Sequence, residues 1–408
     1  MDLGNSPLNS AIAKYLQHYA EPETELARSL CRSLNKRWVL VIPAYDEQPD
    51  FITRLSQHPD AAELLLIAVL NAPQGFEERR CHDFVATLDA LSEPVSQAEH
   101  LSVKQLGALT VLLVERRGDL GLPAKQGVGL ARKIGADIAA ALISIKVVSC
   151  PWIYSSDADA HLPENYFFDS NPDDAEGLTR CSAQIFDFDH SIGEGIVLSA
   201  TRLYERCLRY YTAQLAAAGS AYAYHSLGSC IAISMPHYCS VRGFPRRAAG
   251  EDFYLLNKLS KVAPLRHNAG ICVRLEARIS NRVPFGTGPS VERFVSLLTS
   301  GEPPRYYNPA IFNILGQTLS EISRAWTSPN WAEGISDRHA QETLRRLGFT
   351  EFHASRRQQD KSEAQFLRHF HQWFDALKTL QFIHILQAEA YPSVGVDTLF
   401  GEDWLEPA

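Results

Sequence analysis

Hydrophobic positions along this chain fall into two alternating rhythms. Beginning near Trp38, "RWVLVIPAY" is a short, mostly apolar run with β-branched residues that ends in proline, which predicts a strand buried on both faces. "ELLLIAVLNAP" (63–73), "LTVLLVERRG" (109–118) and "PWIYSSDAD" (151–159) repeat the pattern. Helical stretches lie between them, notably "GVGLARKIGADIAAALIS" (127–144), where Leu130, Ile134, Ile138 and Leu142 fall four apart on one face. Strands alternating with helices predict an α/β fold, a mixed and mostly parallel sheet with helices on both sides.

The flanks read differently. Residues 1–36 carry helical spacing in Leu8, Ile12, Tyr15, Leu16 and Tyr19, then in Leu26, Leu30 and Leu34. After the fourth strand come a helix rich in aromatics within 193–225, a strand in "SCIAISMPHY", and a helix opened by two acids, "GEDFYLLNKLSKV" (250–262). "ICVRLEARISNRVPFGTG" follows as a strand and a Gly-rich loop. Beyond about residue 300 the periodicity is helical to the end, and Pro303-Pro304 marks a boundary. The expected layout is a helical N-terminal cap (1–36), a main domain (37–300) and a helical C-terminal region (301–408).

Length supports more than one core, since 408 residues exceed the roughly 250–300 that one core organises. A formal charge of −8 gives no global attraction for phosphate backbones or anionic lipid, which argues against nucleic acid as the main partner. The opening "MDLGNSPLNSAIAKYLQHY" lacks the basic flank and long apolar core of a signal peptide, and no run is long enough to span a membrane. The 8 cysteines are scattered without CxxC pairs and read as reduced thiols, so the expected location is cytoplasmic.

Chemistry is expected outside the carboxyl ends of the strands, where open sheets of this kind bind ligands. Four polar clusters converge there: Pro43-Ala44-Tyr45-Asp46-Glu47, Asn71-Ala72-Pro73, Glu115-Arg116-Arg117 and Asp157-Ala158-Asp159. The paired aspartates are open to two readings, a polar turn after a strand or a site for Mg²⁺ or Mn²⁺, whose remaining ligands would be water and a diphosphate.

Four elements in order, "VIPAYDE", "GLARKIGADIA", "SSDADAHLP" and "GEDFYLLNKL", resemble the inverting GT-A glycosyltransferases, glycosyltransferase family 2 in particular. The likeness spans about residues 37 to 285. It implies a GT-A (Rossmann-like) domain that takes a nucleotide-diphospho-sugar, a UDP- or GDP-sugar, and passes the sugar to a hydroxyl of a small-molecule or glycan acceptor with Mn²⁺ or Mg²⁺ as cofactor. By the same resemblance Pro43, Ala44, Tyr45 and Glu47 contact the nucleoside, and Asn71 stands where the family offers an aspartate to the base. Arg132 matches the arginine of the family's A-R-N helix, with Lys133 in place of the usual asparagine. Asp157 then faces the ribose or sugar, Asp159 and His267 hold the cation, and Asp252 is the general base with Glu251 beside it.

Residue chemistry supports that reading without fixing it. Negative charge develops on a departing diphosphate, where a cation stabilises it, and the acceptor hydroxyl needs a carboxylate to take its proton. At the start of a helix, Asp252 is expected to be held ionised by the N-terminal amides. Arg278 and Arg282, beside the Gly-rich loop, could clamp phosphates through bidentate hydrogen bonds. The aromatics of 201–224 suit core packing better than an acceptor wall. Retaining GT-A transfer and a catalytically degenerate GT-A scaffold are the rival readings. A nucleotidyltransferase is disfavoured because "VIPAYDEQPDF" has no Gly or Lys. The C-terminal helices are open to an acceptor, a partner or a second copy of the chain as a homo-oligomer.

Overall fold

The computed structural model describes residues 7–75, 79–167, 180–280 and 286–401. They fall into two compact units, one drawn from residues 1–194 and 226–290, the other from 195–225 and 291–408. The helices before Trp38 therefore belong with the sheet. The long helix Gly195–Ala217, expected inside the main domain, groups with the C-terminal helices because its apolar residues pack among theirs.

The first unit is built on a ten-stranded sheet among the described residues. In chain order the strands are β1 (Trp38–Ala44), β2 (Leu64–Asn71), β3 (Glu93–Ala98), β4 (Leu101–Leu106), β5 (Leu109–Arg116), β6 (Trp152–Ser155), β7 (Ala160–His161), β8 (Ala183–Ile192), β9 (Ile231–Ser234) and β10 (Leu265–Glu276). Their order across the sheet is β3-β4-β5-β2-β1-β6-β9-β8-β10-β7. β1 pairs in parallel with β2 and β6, β2 with β5, and β8 with β10. β4, β9 and β7 run against their neighbours. This is the mixed, mostly parallel sheet that the alternation predicted.

Every residue of β1 and β2 is buried, which is why both read as unbroken apolar runs. Burying each Leu, Ile or Val there contributes about 1.5–3 kcal/mol. Helices α1 (Pro7–His18), α2 (Glu23–Leu30), α3 (Asp50–Ser56) and α4 (Arg79–Leu91) precede α5 (Gly127–Ser144), which is buried almost all round. One side of α5 packs on β1, β2 and β6, and α2 and the helix Met235–Ser240 cover others. Its first turn has no room for a side chain at Gly129, where a Cβ would come 2.5 Å from the Pro245 carbonyl and 2.6 Å from that of Arg247. The Gly129 amide donates to the Arg247 carbonyl at 2.9 Å, so the loop leading to the helix Glu251–Leu259 is seated on α5.

The second unit is helical. Leu215, Ile311, Leu315, Phe349, Phe370 and Phe382 are among its buried residues. Tyr204 meets Phe294 edge-on, and Tyr210 and Tyr211 meet Phe312 the same way, so these aromatics belong to the core as their spacing suggested. No helix among the described residues is long and apolar enough to cross a membrane. All eight cysteines are free thiols.

Candidate active site

Parallel pairing brings the carboxyl ends of β1, β2 and β6 to one edge of the sheet. β9 runs against β6, so the residues preceding β9 reach the same edge. Arg132 rises toward it from α5, 3% exposed. Its Nε donates to Glu251 Oε1 at 2.7 Å, Nη2 to Asp157 Oδ1 at 2.5 Å, and Nη1 to Ser155 Oγ at 2.8 Å and the Ser156 and Gly228 carbonyls at 3.1 and 3.2 Å. Burial alone would lower the guanidinium's pKa, but the carboxylates of Asp157, Glu251 and Asp252 outweigh it and raise the value. A side chain at position 228 would put its Cβ 2.5 Å from Arg132 Nη2, so only glycine leaves the guanidinium its place.

Gly228 also ties in Asp252. Its amide donates to Asp252 Oδ2 at 2.9 Å while the Phe253 amide donates to Oδ1 at 2.7 Å. Asp157 and Asp252, far apart in sequence, are thereby joined through Arg132 and Gly228. The expectation that amides keep Asp252 readily ionised is corrected: burial and the neighbouring Glu251 outweigh Arg132 and the Phe253 amide, and push its pKa up to about 7. Glu251 is buried against Arg132 and positions that guanidinium.

Asp159 pairs with Arg278 at 2.7 Å, and the same guanidinium holds Glu47 at 2.7 and 3.0 Å. Pro43 and Ala44 lie in β1 and bring mainly backbone to the edge. Tyr45 is half-buried beyond them, and Asp46 next to it adopts a left-handed φ of 55° and pairs with Arg80. Asn71 ends β2, 4% exposed, with a buried Oδ1 that has no hydrogen-bond partner among the described residues. Arg282 lies outside the described residues.

His267 is not brought to Asp159. It pairs with Ile185 near the start of β10, whereas the Glu276 amide at the other end of β10 donates to the Asp159 carbonyl. Glu276 pairs with Ile192, so seven residues of β8, roughly 23 Å of strand, separate the two places. The histidine next to the acidic pair is His161, whose Nε2 lies 2.8 Å from Glu276 Oε1. Sequence order placed His267 after the acidic helix, but register decides which end of a strand it occupies.

Sequence reasoning also missed a second buried polar cluster. Asp137, fully buried, accepts from Tyr15 at 2.5 Å, Tyr238 at 2.7 Å, Lys133 at 2.6 Å and the Glu21 amide at 2.9 Å. Lys133, the residue at the expected asparagine position, is thus spent on fastening α1 and stays away from the strand ends.

Carboxylates crowd this edge of the sheet. Glu47 and Asp159 meet at the one guanidinium of Arg278, and Asp157 and Glu251 at that of Arg132. Such a concentration of hard oxygen donors suits Mg²⁺ or Mn²⁺. Among the described residues no three His, Cys, Asp or Glu side chains converge, so the protein alone would supply only part of such an ion's shell.

No family model matches the chain, and no curated protein matches it. Among solved structures, S. aureus TarS 1-349 in complex with UDP-GlcNAc is similar at 10% identity and a TM-score of 0.40, over 83% of this chain and 91% of that one. M. tuberculosis glucosyl-3-phosphoglycerate synthase is similar at 14% identity and a TM-score of 0.32, over 70% and 88%. Both likenesses are too loose to bear on function.

Proposed function

We propose that the chain is a GT-A glycosyltransferase that moves a sugar from a nucleotide-diphospho-sugar to an acceptor hydroxyl by direct displacement with inversion. The observation that carries this reading is Asp252: a half-buried carboxyl with a pKa near 7, joined to the strand-end aspartate Asp157 through Arg132 and Gly228. A base poised near the working pH is half ionised and takes a proton efficiently.

In this mechanism the acceptor oxygen forms its bond to the anomeric carbon as that carbon's bond to the diphosphate oxygen breaks. The hydroxyl proton passes to Asp252 and the nucleoside diphosphate leaves. Arg132 fixes Asp157 against the sugar or ribose, and Glu251 holds Arg132 from behind. Asn71 Oδ1, buried and unpartnered among the described residues, suits an N–H of the nucleobase. Asp159, with Asp157, would hold a Mn²⁺ or Mg²⁺ ion, which when bound would offset charge on the diphosphate.

A melting-temperature screen with UDP and GDP, each with Mn²⁺, tests the donor class, because a ligand at 100 times its Kd stabilises by about 2.7 kcal/mol. A shift with either nucleotide supports the reading, and no shift with both removes it. Once a donor is known, the anomeric configuration of the product, read by NMR, decides between inversion and retention.

A further inference from the structure

Arg278 stands two residues beyond the end of β10, half-buried, and bridges two carboxylates. Its Nη2 lies 2.7 Å from Glu47 Oε1 and 2.7 Å from Asp159 Oδ2, and its Nη1 donates to Glu47 Oε2 at 3.0 Å. Its Nε–H is buried with no hydrogen-bond partner among the described residues. One guanidinium therefore serves acids from two different strand ends, with a donor left over.

We propose that Arg278 is an exchangeable counter-ion that couples nucleotide binding to cation binding. While no nucleotide is present its guanidinium neutralises Asp159 and Glu47. An arriving diphosphate draws the guanidinium onto its oxygens, and Asp159 passes to a divalent cation. This deepens the assignment of the site to a nucleotide-diphospho-sugar and rests on it.

The exchange follows from the chemistry of the groups. A planar guanidinium accepts phosphate in place of carboxylate, fork to fork, so leaving Asp159 does not strand it. A divalent ion and a guanidinium cannot both sit on one carboxylate oxygen, because like charges a few ångströms apart repel. Without nucleotide the cation must break a half-buried ion pair to enter. With nucleotide, the diphosphate has already taken the guanidinium. Linkage then requires the effect to be mutual: whatever factor the nucleotide adds to cation affinity, the cation adds to nucleotide affinity.

The test is a Mn²⁺ titration of the full chain, alone and with saturating UDP or GDP, with free Mn²⁺ read by electron paramagnetic resonance. In the wild type, the nucleotide that binds is expected to tighten Mn²⁺ about tenfold or more, within the usual range of such couplings. Arg278→Gln should bind Mn²⁺ alone about tenfold more tightly than the wild type, and its coupling should shrink by a similar factor, leaving the share that comes from direct attraction between ion and diphosphate. Arg278→Lys keeps the charge without the fork and should lie between, which also guards against a folding defect in the glutamine variant. Equal Mn²⁺ affinity of wild type and Arg278→Gln without nucleotide, or undiminished coupling in that variant, overturns the proposal while leaving the donor assignment intact. Failure of the wild type to bind either nucleotide at any Mn²⁺ concentration overturns both.

Discussion

Arg132 and Lys133 are neighbours on α5, about 100° apart around the helix axis, and both are buried cations held by carboxylates. Their surroundings differ in one respect. Lys133 serves Asp137, which is 0% exposed and has four donors, so the cluster is closed and saturated. Arg132 serves Asp157, whose side chain is 34% exposed, and stands beside Asp252, whose pKa is displaced to about 7. Burial of a charge does not by itself separate scaffold from site. What separates them is whether the carboxylates at the far end of the network still face outward with capacity to spare.

Substitutions on the two networks should break stability in one and chemistry in the other. The largest effect is expected from Asp252→Asn, which removes the base and leaves one acceptor oxygen for the two amides that now donate to the carboxylate: the transfer rate should fall about 10²–10⁴-fold, with a modestly lower melting temperature from the amide left without an acceptor. A residual rate within tenfold of the wild type would assign the proton to another group. Lys133→Met should do the opposite. Removing one partner of a buried ion pair costs about 3–5 kcal/mol, seen as a lower midpoint in urea, while the KM for the donor in the folded protein stays put. The loss should shrink at acid pH, because burial already pushes the Asp137 pKa up and the carboxyl can take a proton once its partner is gone.

Tyr15→Phe sharpens the same contrast more gently. It deletes a hydrogen bond from Tyr15 to a charged group and leaves Lys133 one acceptor short, so about 1.5–3 kcal/mol of stability should go, again without change in KM. The smallest effect is the pH dependence of the wild type. Transfer should fall about tenfold per pH unit below about 7, as Asp252 takes up its proton. Stability should move the other way. The folded chain holds the Asp252 proton up to about pH 7 and the unfolded chain releases it near 4, so the folded state binds more protons between those values. Stability therefore declines as pH rises through that window and levels off above it. Asp252→Asn should flatten both trends.

How much of this was legible beforehand depends on whether a feature is local. β1, β2, β5 and β6 announce themselves because a strand buried on both faces is mostly apolar, and the side chains of Asp157, Asp252 and Arg132 were recoverable because each sits at the end of such a strand or on a helix beside it. The hairpin of β3 and β4 was missed, since β3 is largely exposed at the sheet edge and "EPVSQA" has no apolar run. β8 was missed too, its apolar stretch "AQIFDFDHSI" being broken by alternating acids. His267, expected to hold the cation with Asp159, lies at the other end of β10 because sequence spacing does not encode register. The pairing of Arg278 with Glu47 spans 231 positions, and that of Tyr15 with Asp137 spans 122. Nothing in the neighbourhood of either residue marks its distant partner.

Gly228 has an implication for how this protein could change over time. With its carbonyl on the guanidinium and its amide on the carboxyl, and no space for even a methyl group, this position is a single point of failure for the Arg132 and Asp252 contacts alike. Residues around it at the strand ends could vary. Position 228 would be frozen throughout, and a saturation library selected for activity should return glycine there almost without exception.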